Sequence, residues 1–477
     1  MDRRIRILII VVVVLAPAYP AAAWLLGMSV EHQWHERERL AMERVPYIEV
    51  VKSDYRRGIY SSTEEVTYAL GGPMLRSLRA MGKLDLGEHG QFTVRNTVHH
   101  GPLPQLRAFA PATVDTQILL PGELPKNLAL ALGTSKGTLT IHTRMKWLGG
   151  STTLVKSNAF HTKVEDGREI DWRGLDARIE LGRQFGTETI DLSAPGLNLQ
   201  GPESSVSFAN LAMKLDAQAA FDTLTTGTVH LSLGRLDVEQ PAKDLKATMQ
   251  NLTFDSKSSV NGDYMNSDGS IGIDNLQAGK FSATRIFYEQ HLGHLHGPSA
   301  AAMTQALRAT QKGDSTNSTP ADYSKQFAEA FKTYGIDILV HDPVLELPRI
   351  GFTTPDGELL VSLNATTPGV TRADLDVAPQ LLGAALVKHL QASLDVRIDT
   401  ALLDKLLDST GKGDTIAAQM QGLQRQGYLK LDGKALLTHL TFQGGRLKVN
   451  DLPFPPMPAA GPGPAAPGVP GGPRVPH

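Results

Sequence analysis

Between residues 137 and 287 apolar and polar positions alternate with a period of two. Segments 137–143, 177–181, 189–193, 206–209, 213–217, 227–233, 236–239, 270–273 and 281–287 all carry the pattern. A period of two turns one face of each segment toward an apolar environment and the other toward water, as in antiparallel meanders. Such runs at roughly 8–12-residue spacing predict a sandwich, a barrel or an elongated curved sheet. Upstream, segments 47–51, 53–62 and 64–68 predict two strands around a turn at Gly58. Segment 92–98 predicts another strand, stopped by Gly101-Pro102. Downstream, helices are predicted over 295–312 and 321–334, on either side of a polar linker at 313–320. The last part mixes strands at 337–340, 344–347, 358–363, 394–398, 428–433, 436–442 and 444–450 with helices at 381–390, 401–408 and 415–426.

The pattern differs at the two ends. Arg3, Arg4 and Arg6 precede an uncharged, largely apolar stretch, residues 7–26. Twenty residues of helix span roughly 30 Å, the hydrocarbon thickness of a bilayer. The arginines favour a cytoplasmic N-terminus, which sends the body to the other side. A retained anchor, with Trp24 at the interface, is one outcome. A signal peptide cleaved after Ala23 is the other, with Pro17 and Pro20 breaking the helix before Ala21-Ala22-Ala23. Segment 30–44 predicts a helix continuing outward. At the far end, residues 453–477 are Pro, Gly and Ala with little charge, a composition that predicts a disordered tail. The expected fold is thus α+β and strand-dominated. It comprises a stub and transmembrane anchor (1–29), an exit helix and main antiparallel body (30–290), a helical insertion (291–335), a C-terminal α+β unit (336–452) and the tail (453–477).

Composition narrows the function. The 477 residues carry 47 basic and 49 acidic side chains, a net charge of −2. That balance lacks the basic field of a nucleic-acid binder. Aromatics at 6% leave few platforms for base stacking. The chain has no cysteine, which excludes disulfides, thiol nucleophiles and cysteine-ligated metals.

Several short motifs resemble the bacterial YdgA-like family. They are Trp24 and Gly27 after the anchor, then Tyr55-Arg56-Arg57-Gly58-Ile59-Tyr60-Ser61-Ser62, then His100-Gly101-Pro102-Leu103. Near the end come Gly427-Tyr428-Leu429-Lys430-Leu431-Asp432-Gly433 and Gly445-Arg446-Leu447-Lys448-Val449-Asn450. Their shared order spans most of the chain. The resemblance implies an inner-membrane anchor and a periplasmic body, and it brings no catalytic residues. The sequence departs from the family where a glycine usually follows the closing motif: Asp451 stands there.

Candidate chemistry is sparse. His291, His294 and His296 have the density of a metal site, but neither a helix nor a strand aims all three at one ion. His99 and His100, at a strand end, point to opposite faces. Asp314-Ser315 and Asp408-Ser409 sit in expected linkers, and Gly71-Gly72-Pro73 and Gly149-Gly150 read as turns. No nucleophile elbow, phosphate loop or zinc-protease helix is present. No cofactor is expected. The expected partners are the membrane, lipid or other envelope proteins, and not nucleic acid. Three functions follow: a non-enzymatic protein holding lipid along an extended β-surface, an adaptor binding other envelope proteins, and, more remotely, a metal-dependent hydrolase.

Overall fold

The computed structural model describes residues 3–45, 48–70, 91–119, 139–163, 167–311, 327–377, 381–409 and 413–454. The expected linker at 313–320, the turn at Gly71-Gly72-Pro73, Asp314-Ser315 and most of the tail lie outside them. Within them, 22 strands form one antiparallel sheet. The sheet is a meander. Strands β1 (Ile48–Arg57), β2 (Ser61–Leu70), β3 (Gln91–His100), β4 (Ala112–Leu119), β5 (Leu139–Met145) and β6 (Ser151–Ser157) pair in sequence. The ladder then passes from β6 to β9 (Leu175–Leu181) and on to β10 (Thr187–Gln200). The hairpin of β7 (Phe160–Lys163) and β8 (Glu169–Trp172) extends the rest of β10's edge.

The middle of the sheet is built from its longest strands. These are β11 (Ser205–Ala219), β12 (Thr225–Gln240), β13 (Leu245–Asn261), β14 (Tyr264–Ala278) and β15 (Phe281–His296). At 3.4 Å per residue each is about 50 Å long. The ladder continues through β16 (Val344–Thr354), β17 (Gly357–Thr366) and β18 (Gln391–Asp399) to β20 (Ala435–Gln443). Strands β19 (Lys430–Asp432) and β21 (Arg446–Val449) share the outer side of β20, and β22 (Leu452–Pro453) ends the sheet. Neither a closed barrel nor a second packed sheet forms: β1 pairs only with β2 among the described residues, so the sheet is open. The ladder also runs from β15 into β16 without a break across the expected boundaries near 291 and 336.

Helices occupy the margins. Helix α1 (Arg3–Arg44) is continuous through Pro17 and Pro20, which the sequence had as breakers. Each proline removes one i→i−4 bond, a loss a long helix absorbs as a bend. Segment 30–44 continues α1, as expected, and lies against strands β1, β3 and β4. Side chains before Tyr19 lie outside the described residues, and among those described no helix is long and apolar enough to cross a membrane.

Other corrections follow from short apolar runs, whose period alone does not separate helix from strand. Helix α2 (Gly297–Gln311) starts two residues after the expected 295, because Leu295 and His296 still pair with Met265 and Tyr264. Residues 337–340 are not a strand. They continue the π-turn Phe331–Gly335 as helix α3 (Ile336–Leu339), where the ring of Phe331 packs on buried Gly335. Asp408 and Ser409 end a helix (Thr400–Ser409) rather than lie in a linker. Pro453 and Phe454 are not tail: Phe454 bonds Leu447 and packs on Tyr428.

Candidate functional site

One face of the sheet carries an unbroken apolar row. Residue for residue in the ladder, Ile141 faces Val155, Val155 faces Ala177, and Ala177 faces Leu192. The row continues through Met213, Leu231, Phe254 and Ile271 to Tyr288. Ile350, Val361 and Val396 complete it. Twelve adjacent strands contribute, and at about 4.8 Å per strand the row is about 50 Å long. A closed core would bury such a row. Here most of it is only partly buried, and Phe254 and Ile271 reach 36% and 38% exposure. No helix among the described residues makes more than marginal contact with β9–β14.

The opposite face is charged. One position along, Arg178 faces Asp191, then Lys214, His230, Asp255, Ser270, Glu289 and Arg349 follow in register. Facing charges of opposite sign each add a few tenths of a kcal/mol, up to about 1, to strand pairing. His230 Nδ1 lies 2.7 Å from Asp255 Oδ1. The two faces therefore differ sharply: water on one side, hydrocarbon-like side chains on the other.

The long strands bend along a common line. Pro195, Asn210, Gly234, Asn251, Asp274 and Arg285 are skipped in the ladders that otherwise pair β10 through β15 continuously. Asn210, Asn251 and Arg285 adopt positive φ, 56°, 52° and 50°. A left-handed residue reverses the alternation of side chains, so the apolar positions jump by three at this line instead of two. Ala194, Leu211, Leu233, Leu252, Ile273 and Ile286 lie on one side of it, and Leu197, Phe208, Leu236, Met249, Leu276 and Ala283 on the other, all on one face. The crease keeps the apolar face continuous while the strands change direction, as bulges do. The sequence holds its signal in tetrapeptides such as Phe208-Ala209-Asn210-Leu211 and Met249-Gln250-Asn251-Leu252, which a strict period-two reading passes over.

Helix α1 covers the first strands on this same face. Val30 packs into a core of Val98, Ala112, Val114 and Met145, flanked by Trp34. Most of the N-terminal family-motif residues meet here. His100, 1% exposed, has Nδ1 2.9 Å from the Ala23 carbonyl and Nε2 3.1 Å from Ser62 Oγ. The carbonyl requires a proton on Nδ1, so Ser62 donates to Nε2. Gly27 lies directly on the imidazole: a Cβ there would come within 2.8 Å of His100 Cε1. Burial holds the His100 pKa below its ordinary value, which keeps the ring neutral. The Ser62–His100 pair has the composition of a nucleophile and its base, but both are buried under the helix and serve as a clamp. His99 takes the other face and lies 3.5 Å from Asp115.

Arg57 pairs with Glu31 at 3.0 Å and lies over the Trp24 ring. Gly58 closes the β1–β2 turn by bonding the Ser61 carbonyl. Gly101 bonds the Pro111 carbonyl and faces Ala23, with Pro102 following. Deeper in, Glu64 Oε2 accepts from Trp34 Nε1 at 2.6 Å and from Asn96 Nδ2 at 2.8 Å. Glu64 is fully buried, and its Oε1 and the hydroxyl of Tyr55, its partner across the strands, have no hydrogen-bond partner among the described residues. Burial raises the Glu64 pKa, and that of Tyr55 likewise.

The C-terminal motif residues gather at the other end of the sheet. Asn450 Nδ2 donates to the Gly427 carbonyl, while His439 N donates to Asn450 Oδ1, both at 3.0 Å. The Tyr428 hydroxyl donates to the Pro453 carbonyl, and Gly445 forms the β20–β21 turn with φ 73°. Asn450 and Asp451 have φ of 50° and 68°. Such a backbone favours glycine at 451.

Of the candidate metal histidines, His291 stands apart, while His294 and His296 both meet Tyr264 and His341. All three lie on β15. His291 bonds Asp268, His294 stacks on Tyr264 at 3.9 Å, and His296 stacks on His341 at 3.8 Å and bonds Ser299. No group of three or more potential ligands gathers at one point among the described residues.

Residues 1–457 match the bacterial proteins of unknown function grouped as DUF945, and the chain belongs to that family. No curated protein and no solved structure matches it.

Proposed function

We propose that this family member, of the YdgA-like kind, is a non-enzymatic protein anchored in the inner membrane, which holds lipid acyl chains along its sheet in the periplasm. The observation that carries the reading is the apolar row from Ile141 to Val396, with no more than marginal helix contact across β9–β14 among the described residues, backed by a charged opposite face. A row this long and this open is not a protein core. Exposed contiguous apolar surface on this scale marks a binding surface. The row shares its face with the strands under α1, so its near end lies beside the helix that emerges from the proposed anchor. The Ala23 carbonyl supports retention of that anchor. It holds His100, and cleavage after Ala23 would cut α1 inside its packed segment.

Adjacent residues on opposite faces supply the test. A photo-crosslinking amino acid at Leu231 should capture phospholipid in cells, and one at His230 should not. Equal capture at both, or none, contradicts the proposal.

A second reading, an adaptor for other envelope proteins, has one observation in its favour. The outer edge of β1 is unpaired among the described residues, with Val50 and Val51 exposed. Open strand edges pair with partner strands. Protein adducts at Val51 in the same experiment would favour it.

A further inference from the structure

We infer that the anchored end of the body is itself sunk into the bilayer interface, through an apolar collar around α1. The inference rests on the anchor reading above and follows from a mismatch of lengths. Residues 7–26 are long enough to cross the hydrocarbon, but Tyr19 onward is already packed against the sheet. The Tyr19 hydroxyl donates to the Leu103 carbonyl at 2.8 Å, its ring stacks on Tyr60, and Ala23 is fully buried. The helix before Tyr19, residues 7–18, spans only about 18 Å of a core about 30 Å thick. The missing ~12 Å is the segment from Tyr19 to Leu26, so its neighbours must descend with it.

Those neighbours are suited to that depth. The β1–β2 turn and the segment after β3 lie at the same end of the sheet, because His100 N bonds the Tyr60 carbonyl. From them Ile59 and Tyr60 are 54% and 51% exposed, and Leu103 and Leu106 are 43% and 81% exposed. Trp24, at 44%, adds an amphipathic ring. Charges flank this ring: Arg57 and Glu31, paired beside Trp24, and the exposed Arg107 next to Leu106, whose long side chain can reach headgroups. They mark the level at which headgroups and water begin. In the interface, exposed apolar side chains contribute binding.

Because the chain lacks cysteine, single Ile59→Cys or Leu106→Cys substitutions accept a nitroxide at one site. Leu148→Cys is the reference: it is 91% exposed and lies beside the stretch of α1 running from His32 to Leu40. Full-length protein is reconstituted in phosphatidylethanolamine–phosphatidylglycerol vesicles, floated, and read by electron paramagnetic resonance. Labels at 59 and 106 should collide with oxygen and lose broadening by an aqueous nickel chelate. The label at 148 should show the reverse. Protein that floats while labels 59 and 106 respond to nickel as 148 does overturns the collar and leaves the anchor intact. Protein that fails to float overturns both.

Discussion

At the scale of single residues, the tightest constraint is the contact of Gly27 with His100. A methyl at position 27 overlaps the ring and has no empty space to enter, since His100 is clamped between Ala23 and Ser62. Gly27→Ala is expected to cost about 1–3 kcal/mol, by the measure of overpacked cores, read as a lower midpoint in urea. Glu64 makes a prediction with a sign. Burial holds its carboxyl above the ordinary 4.5, so just above pH 4.5 the folded chain keeps a proton that the unfolded chain has lost. The folded state binds more protons there, so Glu64 makes stability fall as pH rises through that window. The difference in stability between wild type and Glu64→Gln should therefore vary with pH above 4.5; a constant difference refutes the assignment. At Asp451 the left-handed backbone penalises a side chain. Asp451→Gly should raise stability by about 0.5–1 kcal/mol.

At the scale of elements, strands and most helices were legible because their periods are strong. Gly58 marks the β1–β2 turn, and Thr400–Ser409 takes the helix its pattern predicts. What was not legible depends on context. Residues 337–340 have a strand's composition, yet they follow a helix without interruption and remain helical. The family motifs gave residues but not their neighbours: nothing in the spacing of Gly27, Ser62 and His100 says that they touch. The crease was hidden because it disturbs the period being sought. Its role predicts an asymmetry. Asn251→Gly relaxes a left-handed position and should leave stability unchanged or slightly higher. Asn251→Val, β-branched at φ 52°, should cost more than about 1 kcal/mol.

At the scale of the whole molecule, a 22-stranded antiparallel sheet carries a helical clasp, α1, over its first strands and among the described residues has no more than marginal helix contact across β9–β14. The clasp lies where the proposed anchor meets the sheet, and the row leads away from it for about 50 Å. Geometry of that kind suits an object that is long, apolar and drawn from the membrane. The central claim is that acyl chains occupy the row. Native mass spectrometry of the full-length protein, extracted in mild detergent, measures this directly. Wild type should retain phospholipid masses. The double substitution Met213→Glu, Leu231→Glu, placing two charges side by side in the row, should lose them while keeping the wild-type circular dichroism. Wild-type protein free of lipid, or lipid retained equally by the folded double variant, would contradict the claim.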